Sequence, residues 1–258
     1  MVTLQLNGHR IQGIRLAIFD KDVTLMELYH YWSQMVELRA SLIQRELGLT
    51  TAQEEGIIFA MGVNRKEGRL RPDGPVGIKK REVVRQAAVD FLEAAGYGET
   101  SALCDAAFDE ADRISSSDMR RYIRPIPGAR ELLAALAEGG CRNAIATTDR
   151  TGRASMALEY LGFADLVDLV VGADLVREVK PDPAMIRIIL DRLGSGKEES
   201  VMVGDAITDI QMGLNAGLRA SIGVRSGLTS GAELARYTPY VVDDVSEIRV
   251  TDERRVRA

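Results

Sequence analysis

Short apolar runs alternate with helix-like segments in the second half of the chain. From residue 127 onward, apolar residues recur at helical spacing near 127–139, 151–161, 181–193 and 208–216. Between and after these segments, continuous apolar runs predict strands near 142–147, 167–171, 201–204, 219–224 and 240–244. Strands that alternate with helices of this length indicate an α/β fold with a doubly wound parallel sheet.

A further buried strand is predicted close to the amino terminus, where the run Ile14–Phe19 is rich in Ile and Leu. Before it, residues 2–6 alternate between apolar and polar and are followed by Asn7-Gly8, which predicts a β-hairpin. We expect this hairpin to extend or cover one edge of the parallel sheet. At the other end, residues 249–258 are highly charged and predict a frayed tail.

The segment from residue 26 to residue 122 interrupts the alternation of strands and helices. Its apolar residues have helical spacing and predict helices near 26–48, 51–61, 78–95 and 99–116, without a parallel strand. Glycine- and proline-containing stretches separate these helices. We therefore predict two domains: an α/β core formed by residues 1–25 and 123–258, and an all-helical domain, residues 26–122, inserted into it.

Composition narrows the class of protein. The chain has 258 residues, of which 46% are hydrophobic and 28% charged, as in an ordinary soluble globular protein. Its net charge of −5 argues against a nucleic-acid partner for the whole molecule. Cys104 and Cys141 form no CxxC pair, and no signal-like or membrane-spanning apolar run occurs. We expect a cytoplasmic protein without a membrane partner, either a monomer or a homodimer.

The first candidate site follows the amino-terminal core strand directly, at Asp20 and Asp22. Side chains at i and i+2 of a strand point to the same side, so the two carboxylates converge if the strand geometry persists. They would then repel each other unless a cation or a proton separates them, and Mg²⁺ is the natural partner of such hard oxygen ligands. The alternative is a pair of solvated loop acids.

Three later stretches place polar side chains at similar strand-to-loop junctions, where open α/β sheets carry their sites. They are Ile145-Ala146-Thr147-Thr148-Asp149, Val179-Lys180-Pro181-Asp182-Pro183, and Val201-Met202-Val203-Gly204-Asp205 with Asp209. Carboxylates, a hydroxyl and a lysine together suit the handling of a phosphoryl group. Taken singly, Thr147 could be a helix N-cap, Lys180 a surface lysine, and Asp209 an acid in the first turn of a helix.

These four stretches, in this order, resemble the four motifs of the haloacid dehalogenase-like (HAD) hydrolase superfamily, in particular the phosphoglycolate phosphatase-like group of its phosphatase branch. The resemblance implies a three-layer, Rossmann-like core with a helical C1-type cap between the first and second motifs, which corresponds to residues 26–122. It also implies Mg²⁺ as cofactor and a small phosphorylated metabolite as substrate.

The resemblance assigns the chemical steps to the first motif. It implies that Asp20 is the nucleophile, which forms an aspartyl-phosphate that water hydrolyses. Asp22 would protonate the leaving group, deprotonate the water, and bind the metal through its backbone carbonyl. The dehalogenase and phosphonatase branches lack this second aspartate, so a phosphate ester is favoured. Where the family usually has glycine, this chain has Val23; we expect an ordinary backbone conformation there, because β-branched residues resist positive φ.

The other three motifs are implied to bind phosphate and metal. The Thr147 hydroxyl and the Thr148 N–H would bind phosphoryl oxygens, and Lys180 would pair with the phosphoryl group and with Asp20. Asp205 would be a direct metal ligand, and Asp209 would orient the metal or the lysine. The implied metal site thus comprises Asp20, Asp22, Asp205 and Asp209.

Two other functions remain open from the sequence. A phosphomutase on the same scaffold would return the phosphoryl group to its substrate instead of passing it to water. A non-catalytic, phosphate-binding regulatory module would keep the fold without turnover. Residues 65–85, with eight basic residues against three acids, could attract a second anionic group of the substrate, or could form an ordinary solvated helix face.

Overall fold

A computed structural model of the chain describes residues 1–77 and 79–252. The described chain divides into two compact units. The α/β unit comprises Met1–Glu27 and the described residues from Pro125 onward, and the helical unit comprises Leu28–Arg124. Among the described residues, no helix combines the length and the apolar character that crossing a membrane requires.

The strands and the helices are each numbered in chain order. The strands are β1 (Val2–Leu6), β2 (His9–Ile14), β3 (Leu16–Phe19), β4 (Val63–Asn64), β5 (Arg69–Leu70), β6 (Arg142–Ala146), β7 (Leu169–Val171), β8 (Ser200–Gly204), β9 (Ala220–Val224), β10 (Val241–Val242) and β11 (Arg249–Asp252). The helices are α1 (Leu28–Leu47), α2 (Thr51–Met61), α3 (Arg81–Ala94), α4 (Ser101–Ser117), α5 (Ala129–Glu138), α6 (Thr151–Leu161), α7 (Ala184–Leu193), α8 (Ile207–Asn215) and α9 (Gly231–Leu234).

The main sheet of the α/β unit is parallel, with strand order β10-β9-β8-β3-β6-β7. Its central strand β3 is fully buried, as expected for a strand that is covered on both faces. Phe19 at its end pairs in register with Ile145 of β6 and Val203 of β8. The carboxyl ends of these three strands therefore meet at one edge of the sheet. The predicted doubly wound α/β fold with an inserted helical unit is confirmed.

The amino-terminal hairpin belongs to a second sheet, so the first of its two predicted placements, as an extension of the main sheet, is wrong. Strands β1 and β2 form the expected hairpin through Asn7 and Gly8, both with positive φ, but β1 then pairs with β11 in a separate antiparallel sheet. The hairpin does not extend the main sheet, although the Asn7 side chain donates a hydrogen bond to the Val241 carbonyl of edge strand β10 (2.7 Å).

The predicted frayed tail is therefore wrong for residues 249–252, which form β11. This strand has its hydrogen-bonding partner at the opposite end of the chain, so nothing local in the sequence indicates it. The remainder of that predicted tail, residues 253–258, lies outside the described residues.

The helical unit has a hydrophobic core of its own, built from buried side chains of α1 to α4 such as Val36, Ile57, Leu92 and Phe108. The predicted start of the third helix at residue 78 lies outside the described residues, and α3 begins at Arg81. The unit is not purely helical, because β4 and β5 form a short antiparallel ribbon between α2 and α3.

The basic segment of this unit, residues 65–85, is largely neutralised within the unit. Its five arginines each form an ion pair with an acid of the same unit: Arg65 with Glu37 and Glu55, Arg69 with Glu67, Arg71 with Asp73, Arg81 with Asp109 and Asp112, and Arg85 with Asp105. The hypothesis of a second anion-binding group therefore concerns mainly the lysines of the segment.

Candidate active site

Asp20 lies at the end of the central strand, where the sheet register fixes its position. Its backbone N–H continues the ladder by donating to the Val203 carbonyl (2.9 Å), and only 8% of the residue is exposed. A carboxylate in such surroundings requires a partner for its charge. The structure supplies one from a loop 160 residues further along the chain.

That partner is Lys180, which precedes α7. Its Nζ atom lies 2.5 Å from Asp20 Oδ1 and 2.7 Å from Asp209 Oδ1, and only 4% of its side chain is exposed. Lys180 is therefore not the surface lysine that the sequence left open as an alternative. The ammonium group joins the first motif to the fourth.

Asp205 and Asp209 complete a cluster with Asp20 at the end of β8. One carboxylate oxygen of each residue lies within 4.8 Å of the others. Asp209 is in the first turn of α8, and its Oδ2 atom accepts a hydrogen bond from the Ala206 N–H (3.0 Å). Gly204 leaves space for the Asp209 side chain, because a Cβ atom on residue 204 would lie 2.4 Å from the Asp209 Cβ.

Two of the three carboxylates, those of Asp20 and Asp209, contact the Lys180 ammonium group. Burial raises the pKa of Asp20 to about 7; Lys180 opposes this increase, and Asp209 and Asp22 add to it. Burial likewise raises the pKa of Asp205 to about 8, with Asp20 and Asp209 contributing. The pKa of Lys180 is raised although burial lowers it, because Asp20 and Asp209 outweigh that effect. The cluster has three carboxylates but one ammonium group and offers hard oxygen ligands, so it fits a divalent cation such as Mg²⁺.

Asp22 is placed differently from these three acids. Its side chain is not part of the cluster, and its Oδ1 atom lies 2.7 Å from the ammonium group of Lys21. Lys21 is buried and also reaches Asp149 Oδ2 at 3.5 Å. Strand β3 ends at Phe19, so the strand geometry assumed for convergence of Asp20 and Asp22 does not persist.

The backbone at Val23 contradicts the sequence-based expectation. Its φ of 65° is left-handed, a conformation that costs a residue with a Cβ atom about 1–2 kcal/mol. Hydrogen bonds hold this conformation: the Val23 N–H donates to the Met26 carbonyl (2.9 Å), and the Ser226 hydroxyl donates to the Val23 carbonyl (2.5 Å). The side chain is also buried, so tertiary contacts outweigh the local preference of a β-branched residue.

Thr147 and Thr148 follow β6 at the same sheet edge as Asp20. Thr147 is fully buried, and its hydroxyl accepts a hydrogen bond from the Asp149 N–H (3.1 Å). The N-cap residue of α6 is Arg150, so the alternative role of Thr147 as a helix cap is wrong. Thr148 is exposed to solvent.

Sequence reasoning missed two parts of this site. Lys21 and Asp149 form an ion pair between the first and second motifs. The loop after β9 forms a fifth segment: Ser226 binds the Val23 carbonyl, and a Cβ atom on Gly227 would lie only 2.0 Å from Asp205 Oδ2. The available signal was the position of Ser226-Gly227 directly after a predicted strand, but neither residue carries charge.

Comparison with known proteins identifies relatives of the chain. The family model for haloacid dehalogenase-like hydrolases matches residues 14–217. A phosphoglycolate phosphatase of Rhodospirillum rubrum is 45% identical over 92 residues, which are 36% of this chain and 38% of that protein. The matches to this and two further curated relatives span 38 to 55% of those proteins' lengths.

Solved structures share the fold over nearly the whole chain. A crystal structure described as a predicted phosphoglycolate phosphatase of Haemophilus somnus gives a TM-score of 0.63 at 21% identity, with 92% of this chain and 97% of that chain covered. A candidate β-phosphoglucomutase of Thermotoga maritima gives the same TM-score and identity, with 91% and 96% covered.

Proposed function

We propose a function for this chain on the premise that it belongs to the haloacid dehalogenase-like hydrolase family. The function is the Mg²⁺-dependent hydrolysis of the phosphate monoester of a small metabolite, through an aspartyl-phosphate on Asp20. The observation that carries the proposal is the convergence of Asp205, Asp209 and Lys180 on Asp20 at the end of the central strand.

In the proposed first step, the Asp20 carboxylate attacks phosphorus and the ester oxygen leaves as an alcohol. Lys180 opposes the rise in the pKa of the buried nucleophile and offsets the charge of the phosphoryl group. Asp22 protonates the leaving oxygen and then removes a proton from the water that hydrolyses the aspartyl-phosphate. The Thr147 hydroxyl and the Thr148 N–H bind phosphoryl oxygens at the same sheet edge.

The residues that would hold Mg²⁺ are Asp20, Asp205 and Asp209, with the backbone carbonyl of Asp22. When bound, the metal would neutralise charge on the phosphoryl group as a Lewis acid. The support for this ligand set is the approach of three carboxylate oxygens to within 4.8 Å of one another. Asp209 contacts Lys180 through Oδ1 and accepts from the Ala206 N–H through Oδ2, and each carboxylate oxygen keeps a further lone pair that could bind a metal.

The proposed substrate class is inferred from the relatives of the chain and not from the shape of a pocket. Curated relatives include phosphoglycolate phosphatases and pyrophosphatases, which favours a small phosphorylated compound over a macromolecule. We propose that the helical unit acts as the cap and selects among such substrates, because it is inserted directly after the first motif. A cytoplasmic location, without nucleic acid or membrane as partner, and a monomeric or homodimeric state remain predictions.

The test is phosphate release from an aryl phosphate and a panel of phosphorylated metabolites, with Mg²⁺ or with EDTA. We expect metal-dependent turnover that falls by about three orders of magnitude or more in Asp20→Asn, because the nucleophile is lost. Asp165→Asn is the matched control, since this aspartate is in the same unit with 67% of its side chain exposed.

Three outcomes would overturn the proposal. Undiminished turnover by Asp20→Asn would exclude the nucleophile assignment. An isomerised sugar phosphate as main product, without free phosphate, would replace the phosphatase by a mutase. Wild-type protein that binds phosphate but turns over no ester of the panel would favour the non-catalytic module.

A further inference from the structure

Lys21 occupies an unusual position for a lysine. It lies between the two aspartates of the first motif, and only 4% of its side chain is exposed. Its Nζ atom lies 2.7 Å from Asp22 Oδ1 and 3.5 Å from Asp149 Oδ2. A buried ammonium group is costly unless it is paired, and both partners here are carboxylates.

The two partners differ in how firmly they are held. Asp149 is fixed in the turn between β6 and α6: its N–H donates to the Thr147 hydroxyl (3.1 Å), its Oδ1 accepts from the Arg150 N–H (2.8 Å), and its carbonyl accepts from the Ala173 N–H (2.9 Å). Lys21 therefore has one fixed partner, in the second motif, and one in the first motif.

Asp22 has fewer constraints of its own. Its side chain is 34% exposed, and the side-chain hydrogen bond that the structure describes for it is the one from Lys21. A carboxylate on a surface loop would otherwise sample several orientations. The ammonium group restricts that freedom, and the left-handed turn at Val23 fixes the backbone on the other side.

We propose that Lys21 is a positioning residue that takes its orientation from Asp149 and holds the Asp22 carboxylate in the direction of the leaving group. The proposal rests on the proposed function, because the orientation of Asp22 matters only if Asp22 transfers a proton. Lys21 itself touches neither substrate nor metal in this scheme.

A positioning role predicts a specific dependence on the leaving group. An alkyl phosphate needs protonation of its leaving oxygen, whereas 4-nitrophenyl phosphate releases a stabilised anion and needs it far less. In Lys21→Met, we expect kcat/KM for an alkyl phosphate to fall by about 10- to 100-fold and kcat/KM for 4-nitrophenyl phosphate by less than about 3-fold. The ratio kcat/KM is the readout because it reports the steps up to formation of the aspartyl-phosphate, whereas hydrolysis of that intermediate also uses Asp22 and is common to both esters.

The experiment compares wild type, Lys21→Met, Lys21→Arg and Asp149→Asn on both esters with Mg²⁺ present. Lys21→Arg should retain part of the activity on the alkyl phosphate that Lys21→Met loses. Asp149→Asn should also lose activity on the alkyl phosphate selectively. In an Asp22→Ala background, Lys21→Met should add less than about 2-fold, since the residue that it orients is gone. Lys197→Met, an exposed lysine of the same unit, is the control.

Equal losses of kcat/KM on both esters, or a full additional loss in the Asp22→Ala background, would overturn the positioning role while leaving the phosphatase proposal intact. Unchanged kinetics in Lys21→Met would overturn it as well. Turnover that survives Asp20→Asn would instead overturn the proposed function, and the role of Lys21 with it. Thermal unfolding of each variant separates these results from a general loss of structure.

Discussion

Replacing Asp20 with Asn should stabilise the metal-free protein while it abolishes turnover. The amide keeps the shape of the side chain and an oxygen that can accept from Lys180, but it removes one of three clustered carboxylates. Burial raises the pKa of Asp20 to about 7, with contributions from Asp209 and Asp22 that Lys180 does not cancel. Ionised Asp20 is therefore a destabilising group in the folded state when no cation is bound.

The magnitude follows from the shift of this pKa from 3.8 to about 7. Each unit corresponds to about 1.4 kcal/mol, so the ionised carboxylate lowers the free energy of unfolding by about 4 kcal/mol above pH 7. Because the pKa of Asp20 is raised in the folded state, protonated Asp20 favours folding. This contribution to the free energy of unfolding is complete below pH 3.8 and is lost as the pH rises to about 7. Asn does not titrate, so its advantage should grow from about 2 kcal/mol at pH 5 to about 4 kcal/mol at pH 8.

The assay is urea unfolding in EDTA at pH 5 and pH 8. The control Asp165→Asn, at an exposed aspartate, should change the free energy of unfolding by less than about 0.5 kcal/mol. Saturating Mg²⁺ should stabilise the wild type more than Asp20→Asn and so reduce the difference. An advantage of equal size at both pH values, or a less stable variant at pH 8, would refute the electrostatic account of the cluster.

Three further substitutions test other parts of the structure. Gly227→Ala places a Cβ atom 2.0 Å from Asp205 Oδ2, so the Mg²⁺ concentration for half-maximal activity should rise by about 10-fold or more; an unchanged value would contradict this packing. Val23→Gly relieves about 1–2 kcal/mol of backbone strain, but it removes a buried side chain and makes the unfolded chain more flexible. The free energy of unfolding, measured in urea, should therefore fall by about 1 kcal/mol. A fall of more than about 3 kcal/mol would contradict the strain. Asp112→Ala leaves buried Arg39 without its carboxylate partner, which should cost about 2–3 kcal/mol in the same assay; a neutral result would exclude the ion pair as a stabilising contact.

The sequence predicted the fold because its signals are local. Each strand of the main sheet is a short apolar run, and each flanking helix has its own periodicity. Parallel strands necessarily end at one edge, so the polar residues after β3, β6 and β8 could be expected together without knowledge of the register. The prediction of family and fold class is confirmed, and the structure places Asp20, Lys180, Asp205 and Asp209 in one cluster.

The errors arose where distant contacts override local preference. Val23 adopts a positive φ because Ser226, from the loop after β9, binds its carbonyl. Residues 249–252 form a strand because β1, at the other end of the chain, offers an open edge. In both cases the local sequence favours a different conformation from the one observed, and the contact with the tertiary partner stabilises the observed one.

The same dependence on distant partners applies to charged side chains. Residues 65–85 carry an excess of positive charge when the segment is taken alone. The acids that bind Arg65, Arg81 and Arg85 lie outside it, on α1, α2 and α4, so the excess is mostly consumed in holding the helical unit together. Lys21 is a second example. It lies between two acids in the sequence, and its buried ammonium group also contacts the distant Asp149, which connects two motifs. Charge in a sequence therefore indicates function only after the partner of each group is known.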